Sequence, residues 1–294
     1  MAGGGRGDAR GGARSMATSP SISMAMIFAA LCGCAQGAGN GACYAPETAG
    51  IAPLTVTFEI TKECCPNQFD FVVNIHDPYT RKHMCTGALV APQVVATTAT
   101  CLDQFKYDDV KIREFPDVKI GGTEPNDARQ GKVVKTCQKI VHENFDPKGS
   151  GGPDLALVIM DEKAVQDPIT KMVPLAECPN NNISFVGWFH PAEPLRGVPT
   201  LIAVPNENCE GLIGDIHEGS VCARTDPSQE PVYDEGGLLL CDGKDLVGLA
   251  SRTKLGPKLY PIAFTEVARY KEWIDSLGNQ HSTVRNNKAC EKEL

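Results

Sequence analysis

Residues 231–241 read Pro-Val-Tyr-Asp-Glu-Gly-Gly-Leu-Leu-Leu-Cys, and the chain is best read outward from them. Two adjacent carboxylates, Asp234 and Glu235, are followed by two glycines and an apolar run that ends at Cys241. Downstream lies a second apolar run, Leu-Val-Gly-Leu-Ala-Ser at 246–251. After it, Val267, Tyr270, Trp273, Ile274 and Leu277 fall on one helical stripe, with Thr265 as the expected cap and Gly278 as the expected exit. Upstream, strand character recurs at 69–75, 83–90, 94–98, 137–141 and 154–160. Short strands separated by Gly/Pro turns, with no other strong helical stripe, predict an all-β protein that closes on one C-terminal helix near 265–277.

The N-terminus has a different character. Arg6, Arg10 and Arg14 precede an apolar run from Ile22 to Leu31 and a small-residue end at Gly33-Cys34-Ala35, the pattern of a secretory signal peptide over 1–35. Leu31-Cys32-Gly33-Cys34 also resembles a lipoprotein cleavage box, which would anchor the chain through Cys34. The apolar run is too short to span a bilayer. Residues 36–59 show little periodicity and read as a leader, and residues 279–294 as a polar tail. Removing 1–35 takes away three arginines and one aspartate, moving the formal charge from −8 to −10. That balance speaks against nucleic acid or an anionic membrane as partner, because either calls for a basic surface. Thirteen cysteines, eleven of them beyond residue 35, read as a disulfide framework in an oxidising compartment. Eleven is odd, so one thiol is free, intermolecular or removed.

The stretch around Glu235 resembles the Gly-Asp-Ser-Gly-Gly-Pro-Leu-x-Cys segment of trypsin- and chymotrypsin-like serine proteases. The likeness continues, in order, through at least seven segments over 60–278. His83-Met-Cys-Thr-Gly-Ala-Leu-Val and Val94-Val-Ala-Thr-Thr-Ala-Thr-Cys101 resemble the strands that bracket the family's catalytic histidine. Residues 137–146 resemble the strand ending His-Pro-x-Tyr, in which His142 is a surface residue of structural role. Asp154-Leu-Ala-Leu resembles the strand of the triad aspartate, Gly187-Trp188 the opening of the second barrel, and Ser251 the serine that faces the aspartate. The resemblance implies two packed antiparallel six-stranded β-barrels, at about 60–170 and 180–262, with a C-terminal α-helix. It also implies disulfides Cys85–Cys101, Cys209–Cys222 and Cys178–Cys241.

The same resemblance marks what is missing. The three triad positions hold Thr100, Asp154 and Glu235, so only the aspartate keeps its type. A threonine cannot take a proton near neutral pH, and a carboxylate cannot act as the activated hydroxyl of acyl transfer. Tyr233 stands where the oxyanion hole has glycine, the pocket disulfide has lost both halves, and the pocket floor falls near Gln229. The family's new N-terminus would fall near Phe58, where no cleavage site is present, so Asp234 needs another partner: a lysine or arginine, backbone N–H groups or water. Glu235 is expected to point to solvent, with water filling the volume beside Thr100. No cofactor or metal is implied.

The function expected is a secreted, non-catalytic homologue that binds a protein: a protease, a glycosidase such as a glucanase, or a cell-surface component. The alternatives are an enzyme of altered chemistry built on Glu235 and Asp154 or a weak residual serine-type hydrolase, and a matrix component linked through the odd cysteine. Asn182-Ile-Ser184 is a glycosylation acceptor if the host is a eukaryote.

Overall fold

A computed structural model describes residues 62–63, 69–103, 115–147, 151–161, 172–190, 192–217, 219–229, 231–254 and 260–283. The first barrel is closed and antiparallel: β2 (Val72–His76), β3 (His83–Ala91), β4 (Val94–Thr97), β7 (Ala156–Met160), β6 (Lys132–Val141) and β5 (Asp117–Ile120), in that spatial order. Its short strands are rich in β-branched and aliphatic residues, and β2, β4, β5 and β7 are buried along their whole length.

The second unit is an eight-stranded antiparallel sheet. Its order is β1 (Lys62–Glu63), β9 (Arg196–Val198), β8 (Ile183–Gly187), β12 (Leu238–Cys241), β13 (Asp245–Arg252), β14 (Ile262–Glu266), β11 (Ser220–Arg224) and β10 (Ile202–Val204). The family resemblance implies a closed six-stranded barrel for this half. Instead the sheet is open, with β1 and β10 at its ends, and β9 and β10 are successive pieces of one stretch interrupted at Pro199, which has no N–H to give to a ladder. The Leu201 N–H, donated to the Ile183 carbonyl at 2.9 Å, carries the curl across the break.

The C-terminal helix is present but shifted. Thr265 remains in β14, opposite both Ser220 and Leu249, and its hydroxyl donates to the Asp154 carbonyl at 3.0 Å, so it caps nothing. A 3-10 turn over Val267–Tyr270 intervenes, and the helix proper is Lys271–Thr283. Gly278 does not end it. A Cβ at that residue would meet Ala91 Cβ at 3.4 Å, so the glycine serves close approach of the helix to the first barrel. Ile274 is buried, and Trp273 and Leu277 pack on the same core, as the stripe predicts. Two short helices carry no readable stripe: α1 (Ala99–Asp103) and α2 (Asn206–Ile213), which makes the C-terminal helix α3. The Cys85–Cys101 and Cys209–Cys222 disulfides pin α1 and α2, and Cys178–Cys241 ties the inter-barrel crossing to β12. Cys137 is also disulfide-bonded, and Cys43, Cys64, Cys65 and Cys290 lie outside the described residues.

The two units are stitched where the 234–237 turn meets β3. The Thr86 N–H donates to the Glu235 carbonyl at 2.8 Å across the joint, while the Gly236 N–H ties the turn to its own unit through the Ala250 carbonyl at 2.7 Å. Gly236 has φ 73°, and a Cβ there would overlap the Thr86 carbonyl oxygen. Gly236→Ala therefore combines backbone strain with a clash at the joint. It should lower the unfolding free energy by about 2–5 kcal/mol, read by urea denaturation, whereas Gly211→Ala on open helix surface should not.

Candidate functional site

Two clusters of buried polar groups lie side by side at the joint. The first centres on Asp154, just before β7 and 1% exposed. Its Oδ1 accepts the Thr100 backbone N–H at 2.8 Å, and its Oδ2 accepts the Thr100 hydroxyl at 2.8 Å and the Ser251 hydroxyl at 2.7 Å. Thr100 is placed by α1, whose next residue is the disulfide-bonded Cys101. The sequence-expected neighbours Thr100, Asp154 and Ser251 are thus brought together, with the threonine directly on the carboxylate.

Glu235 completes this cluster, and its orientation overturns the expectation that it faces solvent. Its carboxylate turns inward, with Oε1 accepting the Thr98 hydroxyl at 2.5 Å and Oε2 accepting the Tyr233 hydroxyl at 2.6 Å. Burial, with the Asp154 charge second, pushes the Glu235 carboxyl up to about 8, although the Thr98 and Tyr233 hydrogen bonds act in the opposite sense. Burial, followed by the Glu235 charge, also pushes the Tyr233 phenol up, so it remains a neutral donor. At neutral pH Glu235 therefore retains the proton that a free glutamate would have released.

The second cluster centres on Asp234, 5% exposed. Its Oδ1 faces His83 Nε2 at 3.1 Å; its Oδ2 accepts the Thr86 hydroxyl at 2.5 Å and the Trp188 N–H at 2.7 Å. Of the partners anticipated from sequence, the backbone N–H is present, but the side-chain partner is a histidine instead of a lysine or arginine. His83 Nδ1 lies 2.8 Å from Asn74 Oδ1, and Asn74 is oriented by donating its amide N–H to the Pro125 carbonyl at 3.0 Å. Both ring nitrogens thus face side-chain oxygens. Sequence reasoning misses His83 and Thr98. Their only signal is a polar residue at the start of one apolar strand and at the end of another.

Other sequence-expected positions are more loosely placed. His142 is not on the surface: it is 7% exposed and packs against Tyr270 and Trp273, with ring centroids at 5.4 and 4.9 Å. A cavity of about 110 Å³, lined by Pro231, Val232, Tyr233, Thr253, Lys254 and Tyr260 among others, lies beside Tyr233. Lys254 Nζ sits 5.2 Å from the Tyr260 ring centroid. Asn182 is exposed, and its amide donates to Asp242 at 2.7 Å. Among the described residues, no three His, Cys, Asp or Glu side chains converge as a metal site.

Two curled β units, joined across a buried aspartate with a second aspartate ringed by hydroxyls, define a class. The family model of trypsin matches residues 60–274, and the chain belongs to that family. It is 27% identical over 225 residues to azurocidin of Sus scrofa, covering 73% of this chain and 85% of that one. It is 26% identical over 212 residues to glucanase inhibitor protein 2 of Phytophthora sojae, covering 66% and 69%. Among solved structures it shares its fold with human heparin binding protein, with a TM-score of 0.59 and 22% identity over 74% of this chain and 96% of that one. Mouse neuropsin aligns equally well, with a TM-score of 0.59 and 23% identity over 74% and 98%.

Glu235 makes stability depend on pH in a stated direction. Its folded pKa lies above that of a free glutamate, so the folded state holds a proton that the unfolded state has released. Stability should fall as pH rises from about 4.5 to about 8 and stay lowered above that. Glu235→Gln, neutral throughout, should match the parent near pH 5 and exceed it by roughly 3–5 kcal/mol near pH 9 in urea titrations. His83→Ala, which takes away one of the three partners of the buried Asp234 carboxylate, should cost roughly 1–3 kcal/mol in the same measurement.

Proposed function

We propose that this protein is a secreted, non-catalytic member of the trypsin family that acts by binding a protein partner, and that it does so with its N-terminal segment uncut. The observation that carries this is the closed shell around Asp154 and Glu235. Where peptide hydrolysis needs an imidazole between carboxylate and nucleophile, Thr100 sits on Asp154 and supplies no base. Where it needs an alkoxide, Glu235 is a carboxyl group tied to Thr98 and Tyr233. The acid pair does not offer glycoside chemistry instead, since Asp154 is enclosed and already accepts three hydrogen bonds.

Charge helps choose among partners suggested by the relatives' names. A polyanion such as heparin calls for a dense basic surface, and this chain carries a formal charge of −8. The glucanase inhibitor points to a different partner class, an extracellular glycosidase, and that is the partner we assign. Residues 1–35 serve export, and the disulfides fit an oxidising destination.

The purified protein should bind and inhibit a secreted endo-glucanase stoichiometrically in calorimetry and activity assays at physiological salt, and leave peptide and activated-ester substrates intact. Labelling of the native protein by a fluorophosphonate, with peptide turnover, would overturn the non-catalytic reading; failure across a panel of glycosidases with capture of another protein would overturn the partner class alone.

Restoring the reacting groups should not restore the reaction. In a Thr100→His/Glu235→Ser double variant, Asp234 remains held by His83, Thr86 and Trp188, and Tyr233 still occupies the position next to it. That variant should hydrolyse activated esters weakly at most and leave peptides uncut in a chromogenic assay, because positioning fails even with the groups present.

A further inference from the structure

We infer that a polar cleft between the first barrel and α2 is a binding site for a neutral oligosaccharide. The cleft has a volume of about 660 Å³ and lies where the two units meet, a size and a place common to small-ligand sites. Asn144 and Gly152 line it from the connection between β6 and β7. Asn206 and Glu210 line it from α2, His217 from the turn before β11, and Arg269 from the 3-10 turn after β14. None of these residues touches the Asp154–Glu235 cluster through a hydrogen bond named above, and the inference goes beyond the proposed function without depending on it.

His217 marks the cleft as more than surface relief. Its ring is 7% exposed, with its centroid 6.3 Å from that of Phe145, and its Nδ1 is buried without a hydrogen-bond partner among the described residues. Polar atoms left so are few in folded proteins, and each lowers stability. Ser220 repeats the pattern. It is buried, its hydroxyl oxygen has no partner among the described residues, and its backbone N–H donates to the His217 carbonyl at 3.2 Å. Ser220 lines a second cavity, of about 460 Å³, which shares Asn206 and Arg269 with the first. Two unpaired polar side chains thus stand on one turn between adjoining cavities, where a purely structural role would be served better by apolar ones.

The rest of the lining decides the ligand's chemistry. Asn206 and Glu210, one helical turn apart, share a face of α2. Asn206 is oriented by donating its amide N–H to the Ser220 carbonyl at 2.8 Å, and Arg269 by donating its Nε–H to Glu266 at 2.7 Å. The walls are therefore built before a ligand arrives, which lowers the ordering cost of binding. Amide side chains both donate and accept, the Glu210 carboxylate accepts, and the Arg269 guanidinium donates. A carboxylate in the wall opposes an anion, and the guanidinium opposes a cation. Ile216 is the one apolar side chain of the lining among the described residues, too little for an apolar ligand. A neutral ligand whose adjacent groups each donate and accept meets all of these conditions, and the neighbouring hydroxyls of a sugar are such groups.

Titration calorimetry of the full secreted chain with cellohexaose, laminarihexaose and maltohexaose tests this, with inorganic sulfate as the anion control. At least one of the three sugars should bind, and sulfate should not. His217→Phe keeps a ring against Phe145 and removes both nitrogens; it should weaken binding of that sugar about tenfold. The same variant should melt no lower than the parent, because an unpaired polar atom has left the interior. Glu210→Ala, on exposed helix surface, should weaken the sugar about fivefold at unchanged Tm. Binding of none of the three sugars, binding of sulfate in their place, or sugar binding that either variant leaves intact would overturn the inference. A His217→Phe protein that melts well below the parent would overturn it too, since the ring nitrogens would then serve the fold. None of these outcomes alters the glycosidase titration, so the inference and the proposed function fail separately.

Discussion

The buried carboxylate of Asp234 is the constraint from which the rest of the joint is built. A charge enclosed to this degree is tolerated only when its oxygens are filled by good donors, because the cost of leaving water is several kcal/mol. The donors come from both units: His83 and Thr86 from β3 of the first barrel, and the Trp188 N–H from the end of β8 in the second. Asp234 can therefore be satisfied only if the two units are docked in one relative position. The hydrophobic seam of Val186, Leu238, Leu240 and Leu249 against the first barrel supplies attraction without direction, and the carboxylate supplies the direction.

That requirement reaches into the first barrel. His83 can face Asp234 correctly only if its far nitrogen is met, which Asn74 does from β2, and Asn74 is in turn aimed by the Pro125 carbonyl. A line of hydrogen bonds thus runs from a loop of the first barrel to the turn that carries Glu235. A network in which every member is filled defines one arrangement, while the same groups half-filled would be worse than an apolar contact.

Much of this is legible in the sequence, and the remainder shows where reading fails. Asp154, Thr100 and Ser251 are legible as neighbours because the segments carrying them keep their order and spacing. The Cys178–Cys241 bond is legible in the same way. The partner of Asp234 is not, because His83 lies 151 residues away and its own strand gives no sign that the ring turns toward the second unit. The orientation of Glu235 is hidden for a related reason. Exposure is the ordinary fate of glutamate, and nothing local says that Thr98 and Tyr233 converge on one carboxyl group. Helix limits fail where tertiary packing overrides local signals: Thr265 is held by two strands, and Gly278 serves contact with Ala91 instead of a C-cap.

On the non-catalytic reading, the fold persists without the chemistry because backbone and side chain of Glu235 do separate work. Its backbone carbonyl accepts the Thr86 N–H and so belongs to the joint, whereas its side chain belongs to the neighbouring cluster. Any residue at 235 offers that carbonyl, so the joint places no demand on the side chain. Thr100 behaves likewise, since its backbone N–H reaches Asp154 Oδ1 and needs no particular side chain to do so. On the proposed reading, the two positions where a protease would carry a base and a nucleophile are the ones the fold holds by main-chain atoms, whereas Asp154 and Asp234 are held by their carboxylates. A side chain that enters this site must still find partners, and a second carboxyl beside Asp154 does so by retaining a proton and two hydroxyl donors. The result is a cluster whose polar atoms satisfy one another.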